Sequence, residues 1–164
     1  MDALLEQAVE GMKKNGFEVI EVRTAAEARD YLLAHIDAGQ SVGVGGSVSV
    51  RDTGVLPALA EKGCKVYTSW GAKPEDVPMI RENSRRADVY LSSANAVTRK
   101  GKLVLVDGNG NRVGAVCDGP EQVYFVISHS KVVDGGINTA VARIKKTACP
   151  QNTRLSLIHI SEPT

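Results

Sequence analysis

The stretch SVGVGGSVSVRDTG, residues 41–54, runs from a β-branched segment into paired glycines, then into small hydroxylic residues and an Arg-Asp pair. SVGV reads as a short buried strand, and the glycine loop follows it directly. At Gly45, Gly46 and Ser47 the missing or small side chains let backbone N–H groups approach a ligand. A helix starting just beyond would add a partial positive charge of about half a unit. An anion is the natural guest. Ser47 and Ser49 can donate hydroxyl hydrogen bonds, and the Arg51 guanidinium can clamp a carboxylate or phosphate with two parallel bonds. A tight turn without a ligand is the other account of the same glycines. Neither G-x-x-x-x-G-K-[ST] nor G-x-G-x-x-G is present, which argues against nucleotide hydrolysis and a dinucleotide site.

Working outward, Leu4, Leu5, Ala8, Val9 and Met12 fall on one face of a helix over 2–15 that Gly16 stops. FEVIEV (17–22) reads as a strand. Thr24 and Glu27 form a capping box for a second helix, with Ala28, Tyr31, Leu32 and His35 on its core side. After the glycine loop, GVLPALAEKG predicts a helix ending at Gly63, with Pro57 in its first turn or kinking it. CKVYTSW is a strand, PEDVPMIRENSRRA a helix, and DVYLSS a strand leading to a polar elbow at Ala94-Asn95. KLVLVDGNGNRVGAV then reads as a strand, an Asn-Gly-type turn and a small-residue segment. EQVYFVIS is a final strong strand before a helix over about 137–147. Strands alternating with helices predict an α/β fold with a largely parallel sheet flanked by helices.

In such a sheet the loops after the strands' carboxyl ends form the ligand crevice. GGSVSVRD, SSANAVTRKG and DGNGNR all fall there. Asn95 follows a buried strand, where an Asx-turn is the structural alternative to ligand binding. Asp107, Asn111 and Arg112 surround the DGNG turn, and the small residues after Arg112 leave its charge able to point into the crevice. Lys131 arrives at the same edge from another strand. His129, in SHSK, is a candidate general base near neutral pH, but no carboxylate at a telling spacing orients it. His35 reads as packed or capped. The geometric expectation is that Gly46, Asn95 and Arg112 meet around one anionic guest.

The 164-residue chain carries 20 Lys and Arg against 19 Asp and Glu, a net charge of +1, and no basic run, so nucleic acid is not an indicated partner. No apolar run reaches the roughly 18–20 residues needed to span a bilayer, and the acidic N-terminus is unlike a signal peptide, so the cytoplasm is the expected location. Cys64, Cys117 and Cys149 are widely spaced without C-x-x-C, which predicts buried free thiols and neither a disulfide framework nor a metal site. The last ten residues, LSLIHISEPT (155–164), change composition abruptly and resemble translated read-through of a sequencing adapter. The expected organisation is one domain over 1–154 and a non-native tail over 155–164, which removes His159 from the candidate residues.

GVGGSVSVRDTGVL, ADVYLSSANAVTRKGKLVLVDGNGNRVGAV, GPEQVYFVISHSKVV and PQNTRL resemble, in order, the motifs of the LUD (lactate utilisation) domain family, its LutC-like proteins in particular. The resemblance spans nearly all of residues 1–154, and NAVTRKGKLVLVDGNGNRV is its most specific part. It implies a fold of the ribose-phosphate isomerase and CoA-transferase type, whose loop after an early strand commonly binds phosphate or carboxylate. It further implies a place beside iron–sulfur oxidoreductases in the oxidation of lactate to pyruvate, and it assigns no catalytic residue and no cofactor. Fold membership alone remains an analogy. Three departures from the family pattern stand out. Its shorter members continue into a cysteine-rich tail where the adapter-like residues lie here, an Asn commonly fills the place of Ser130, and Pro57 interrupts a helix that is usually continuous.

Three functions follow from these residues. The first is a LutC-like component of lactate utilisation that binds a small carboxylate or phosphate, with Gly45, Gly46, Ser47, Arg51, Asn95, Asp107, Asn111 and Arg112 as the ligand-binding set. The second is an isomerase-like or acyl-transfer enzyme on a phosphorylated or CoA-linked substrate, with Asp107, Lys131 and His129 as acid/base candidates. The third is a non-catalytic interaction module. A homodimer through sheet edges suits the fold in each case.

Overall fold

The structure is a computed structural model that describes residues 2–151. The adapter-like stretch 155–164, with His159, lies outside the described residues. In chain order the elements are α1 (Ala3–Lys14), α2 (Ala25–His35), β1 (Ser41–Val44), α3 (Val48–Arg51), α4 (Val55–Lys62), β2 (Lys65–Tyr67), α5 (Val77–Arg85), β3 (Val89–Ser92), β4 (Ala96–Thr98), β5 (Leu103–Val104), α6 (Asn111–Cys117), β6 (Gln122–Phe125), β7 (Val132–Val133) and α7 (Ile137–Arg143). A π-helical turn, Ile144–Ala148, prolongs α7. The described residues form two compact units, one of Ile20–Ser93 and Asp107–Ser128, the other of residues 2–19, 94–106 and 129–151.

The first unit holds a four-stranded sheet in the order β2-β1-β3-β6, parallel throughout, as the α/β pattern predicts. Side chains alternate across it. Val42 and Val44 of β1, with Val89 and Leu91 of β3, bury one face against Leu32 and Ile36, Val50, and Val55, Leu56 and Leu59 from α2, α3 and α4. The opposite face carries Gly43 and its partner Tyr90 in register, and α5 and α6 cover it. Gly43 is needed there because a Cβ would stand 2.1 Å from the Ser84 carbonyl oxygen of α5. At the other end of β1 and β3, the Ser41 N–H and hydroxyl both donate to Asp88 Oδ2 at 2.7 Å, and the Asp88 N–H returns a bond to Ser41 Oγ at 2.9 Å.

The second unit has its own sheet, β5-β4-β7, in which β4 is antiparallel to β5 and parallel to β7. Its apolar centre is Ala96, Val133, Ala140 and Ile144. Helix α1 lies against the turn after β4 so closely that a Cβ on Gly11 would stand 2.4 Å from the Lys100 carbonyl carbon. Asn15 Nδ2 seals that contact by donating to the Lys100 and Gly101 carbonyls at 3.1 and 3.2 Å.

Several expectations need correction. Residues 17–22 form no strand. Their apolar positions, 17, 19, 20 and 22, do not alternate strictly, and the chain passes between the units at Val19–Ile20. Phe17, Ile20 and Val22 are left exposed. The small-residue segment after DGNG, to which the sequence reading gave no element, is helix α6, opened by Gly110 at φ +72°. His35 is exposed and stacked on Tyr31 with ring centroids 3.9 Å apart, because Leu32 and Ile36 hold the core side of α2. Of the three free cysteines only Cys64 is buried. Cys117 closes α6 and Cys149 follows the π-helical turn, both exposed. Pro57 takes the third position of α4, in the first turn, where its missing N–H costs no intrahelical bond.

Candidate functional site

After β2 the chain crosses back over β1 to place β3 on its far side, so the crevice beyond the carboxyl ends of β1 and β3 is the topological switch point of the parallel sheet. Gly45 opens that crevice. It is buried, and a Cβ on it would stand 2.9 Å from the Tyr90 hydroxyl and 3.4 Å from both Cβ and Cγ of Arg112. The glycine therefore makes room for a phenol from β3 and an arginine stem from α6. Gly46 differs from it. It is exposed, has open space where a Cβ would sit, and its N–H donates to no backbone carbonyl among the described residues. Ser47 is the N-cap of the four-residue α3, its Oγ accepting from the Val50 N–H at 3.3 Å.

Tyr90 is 1% exposed. Burial pushes its hydroxyl up to about 12, against the pull of the Arg112 guanidinium and with a smaller push from Asp107. The phenol thus keeps its proton at neutral pH and can donate it to an oxyanion. Sequence reading did not single out Tyr90. The available signal was a hydroxyl-bearing aromatic in the middle of an otherwise apolar buried strand, since a buried phenol usually finds a polar partner.

Asp107 serves α6. Its Oδ2 accepts from the Arg112 and Val113 N–H groups at 2.7 and 3.1 Å, and Oδ1 accepts from Asn109 at 3.2 Å. Burial pushes the carboxyl up, but these three backbone bonds and the Arg112 charge outweigh it and leave the group below the usual carboxylate range. The helix terminus is thereby satisfied from within, and Asn111 and Arg112 are held in its first turn. Arg51 has partners of its own: Nε and Nη2 bond Asp52 Oδ1 at 3.1 and 3.0 Å, and its Cζ lies 4.8 Å from the Trp70 ring centre.

Asn95, His129 and Lys131 belong to the other unit. Asn95 Oδ1 accepts from the Val106 N–H at 2.9 Å, its own N–H donates to the Val104 carbonyl at 3.0 Å, and Arg143 Nη1 donates to its carbonyl at 2.6 Å. The Asx-type structural task anticipated for this residue is thus present. His129 and Lys131 lie in a 3₁₀ turn, His129 exposed and Lys131 half-buried. Arg143 Nε holds that turn by donating to the Ser130 carbonyl at 3.3 Å. Among the described residues, no group of three His, Cys, Asp or Glu side chains is placed to hold a metal ion. No described helix is long and apolar enough to cross a membrane.

Comparison with known proteins adds one positive result. No curated protein and no solved structure matches the chain. A family model, that of the LUD domain, matches residues 5–160.

Proposed function

The chain belongs to the LUD domain family, and from that premise we propose that it is a LutC-like component of lactate utilisation that binds a small carboxylate or phosphate beyond β1 and β3. The observation that carries this reading is the gathering of Tyr90 and Arg112 against Gly45, beside the open backbone of Gly46. Three kinds of donor suited to an oxyanion then sit together: a backbone N–H, a phenol that keeps its proton, and a guanidinium able to make paired charge-assisted bonds. Asn111 adds an amide from the same helical turn. The chemistry is binding and charge stabilisation. Asp107, held ionised by three N–H groups, makes a poor proton donor at neutral pH, which favours this reading over acid/base isomerisation or acyl transfer.

On this reading the protein works in the cytoplasm, holding the anion for iron–sulfur oxidoreductase partners that carry the electrons. Calorimetric titration with lactate, pyruvate and inorganic phosphate tests the site. Saturable binding of at least one of them should weaken by about tenfold, or 1.4 kcal/mol, in Arg112→Gln. Absence of binding by all three ligands would overturn the proposal.

A further inference from the structure

The second unit carries a pocket of about 350 Å³ between the β4–β5 turn and the loop that enters α7. That volume falls within the roughly 300–1,000 Å³ of small-molecule sites. Both walls are braced. In the turn, Thr98 Oγ1 accepts from the Lys102 N–H at 3.0 Å, and the Lys100 and Gly101 carbonyls are taken up by Asn15. In the loop, the Gly135 carbonyl accepts from the Arg99 N–H at 3.1 Å, and the Arg99 guanidinium pairs with Asp134. Gly135 lies so close to α7 that a Cβ on it would stand 2.2 Å from Thr139 Oγ1. Three cations, Arg99, Lys100 and Lys102, line the pocket, and no carboxylate does. Asp134 already satisfies Arg99, whereas Lys100 and Lys102 make no ion pair among the described residues. Most of the remaining lining is apolar, and it includes the 51% exposed side chain of Ile137. A ligand that matches these walls has an anionic head for two ammonium groups and an apolar body for Ile137.

We propose that this pocket binds a phosphate monoester with an apolar body, Lys100 and Lys102 holding the phosphate and Ile137 packing against the body. The cations decide for phosphate over carboxylate. Arginine is the residue whose planar fork matches a carboxylate with two parallel bonds, and the guanidinium in this lining is already paired. What remains is two ammonium groups, compact point charges suited to a phosphate, which carries a charge of about −1.5 to −2 at neutral pH where a carboxylate carries one. The volume decides against phosphate alone, whose five heavy atoms would leave most of the pocket empty. All the lining residues belong to the unit that lacks Tyr90 and Arg112, so this site is independent of the anion site of the preceding section.

Calorimetric titration of the full chain with naphthyl phosphate at neutral pH tests the pocket, with inorganic phosphate and naphthoate as comparison ligands. Naphthyl phosphate should bind saturably and about tenfold tighter than either, because inorganic phosphate lacks the apolar body and naphthoate lacks the second charge. The double variant Lys100→Gln/Lys102→Gln should weaken that binding by about tenfold or more. Ile137→Asp, which sets a carboxylate at an exposed lining position, should weaken it as well. Circular dichroism confirms that both variants fold. Arg112→Gln should leave the affinity for naphthyl phosphate unchanged, which separates this pocket from the site beyond β1 and β3. Binding of naphthyl phosphate that is lost in Arg112→Gln and kept in the double lysine variant would overturn the proposal in favour of that other site. Equal affinity for naphthoate would overturn the assignment to phosphate, and no binding of naphthyl phosphate would overturn the proposal outright.

Discussion

The Tyr90 hydroxyl lies 2.9 Å from the point at which a Cβ on Gly45 would stand, while the same point on Gly46 is open. Two adjacent glycines that look equivalent in the sequence therefore differ in kind. Gly45→Ala should push on a phenol that has almost no exposed surface to move into, costing about 1–2 kcal/mol by overpacking. Gly46→Ala should stay within about 0.5 kcal/mol of the parent, as surface substitutions usually do. Urea unfolding of the pair reads both. Equal losses at the two positions would contradict the packing role of Gly45.

The raised Tyr90 hydroxyl gives an alkaline signature. Its folded value of about 12 lies above the unfolded one near 10, so the unfolded chain releases the proton first. The stabilisation is complete below about pH 10 and is lost as pH rises toward 12. Ultraviolet titration of tyrosinate should therefore show one of the chain's four tyrosines ionising late. Tyr90→Phe should abolish that late step.

Asp107 should act in the opposite direction. Its folded carboxyl titrates below the unfolded value, so its contribution is present above the usual carboxylate range and is lost as pH falls through the folded value. Asp107→Ala should cost about 1 kcal/mol at neutral pH, the ordinary value of a helix N-cap. The difference from the parent should shrink in acid. A constant difference across an acid titration would show that the carboxylate charge is not what stabilises α6.

In the other unit, Gly11→Ala should be the more damaging change. The added carbon would meet the backbone of Lys100 and Gly101, which cannot rotate away as a side chain can. A loss of about 1–3 kcal/mol is expected, read by the same urea experiment. Asn15→Ala removes only the two side-chain bonds to that turn and should cost less.

The parallel sheet was legible because its strands are marked on both sides. Val42 and Val44 sit before paired glycines, and β3 begins just after the polar end of α5. The second helix could be placed from Thr24, whose Oγ1 does accept from the Glu27 N–H, although the Glu27 carboxylate reaches the Arg23 N–H and not that of Thr24. Of the second sheet only β5, inside the strand read at KLVLV, was legible. Strands β4 and β7 are two or three residues long, and a period of two needs more residues than that to stand out. Within the candidate site, the glycines and Arg112 could be found from loop composition. Tyr90 could not, because its importance comes from reaching Gly45 across the sheet register, a relation with no local trace. Arg143 likewise acts on Asn95, 48 positions earlier.

The two units are interleaved, the chain crossing between them four times, after residues 19, 93, 106 and 128. During synthesis the parallel-sheet unit is complete once Ser128 has emerged. The other unit still waits for β7 and α7 after its first helix has long been made. At about 5–20 residues per second, α1 spends several seconds without its partners. The nascent chain thus matures in a fixed order, and a ribosomal pause or premature stop after residue 128 would spare the sheet that carries the candidate site while leaving its companion unfinished.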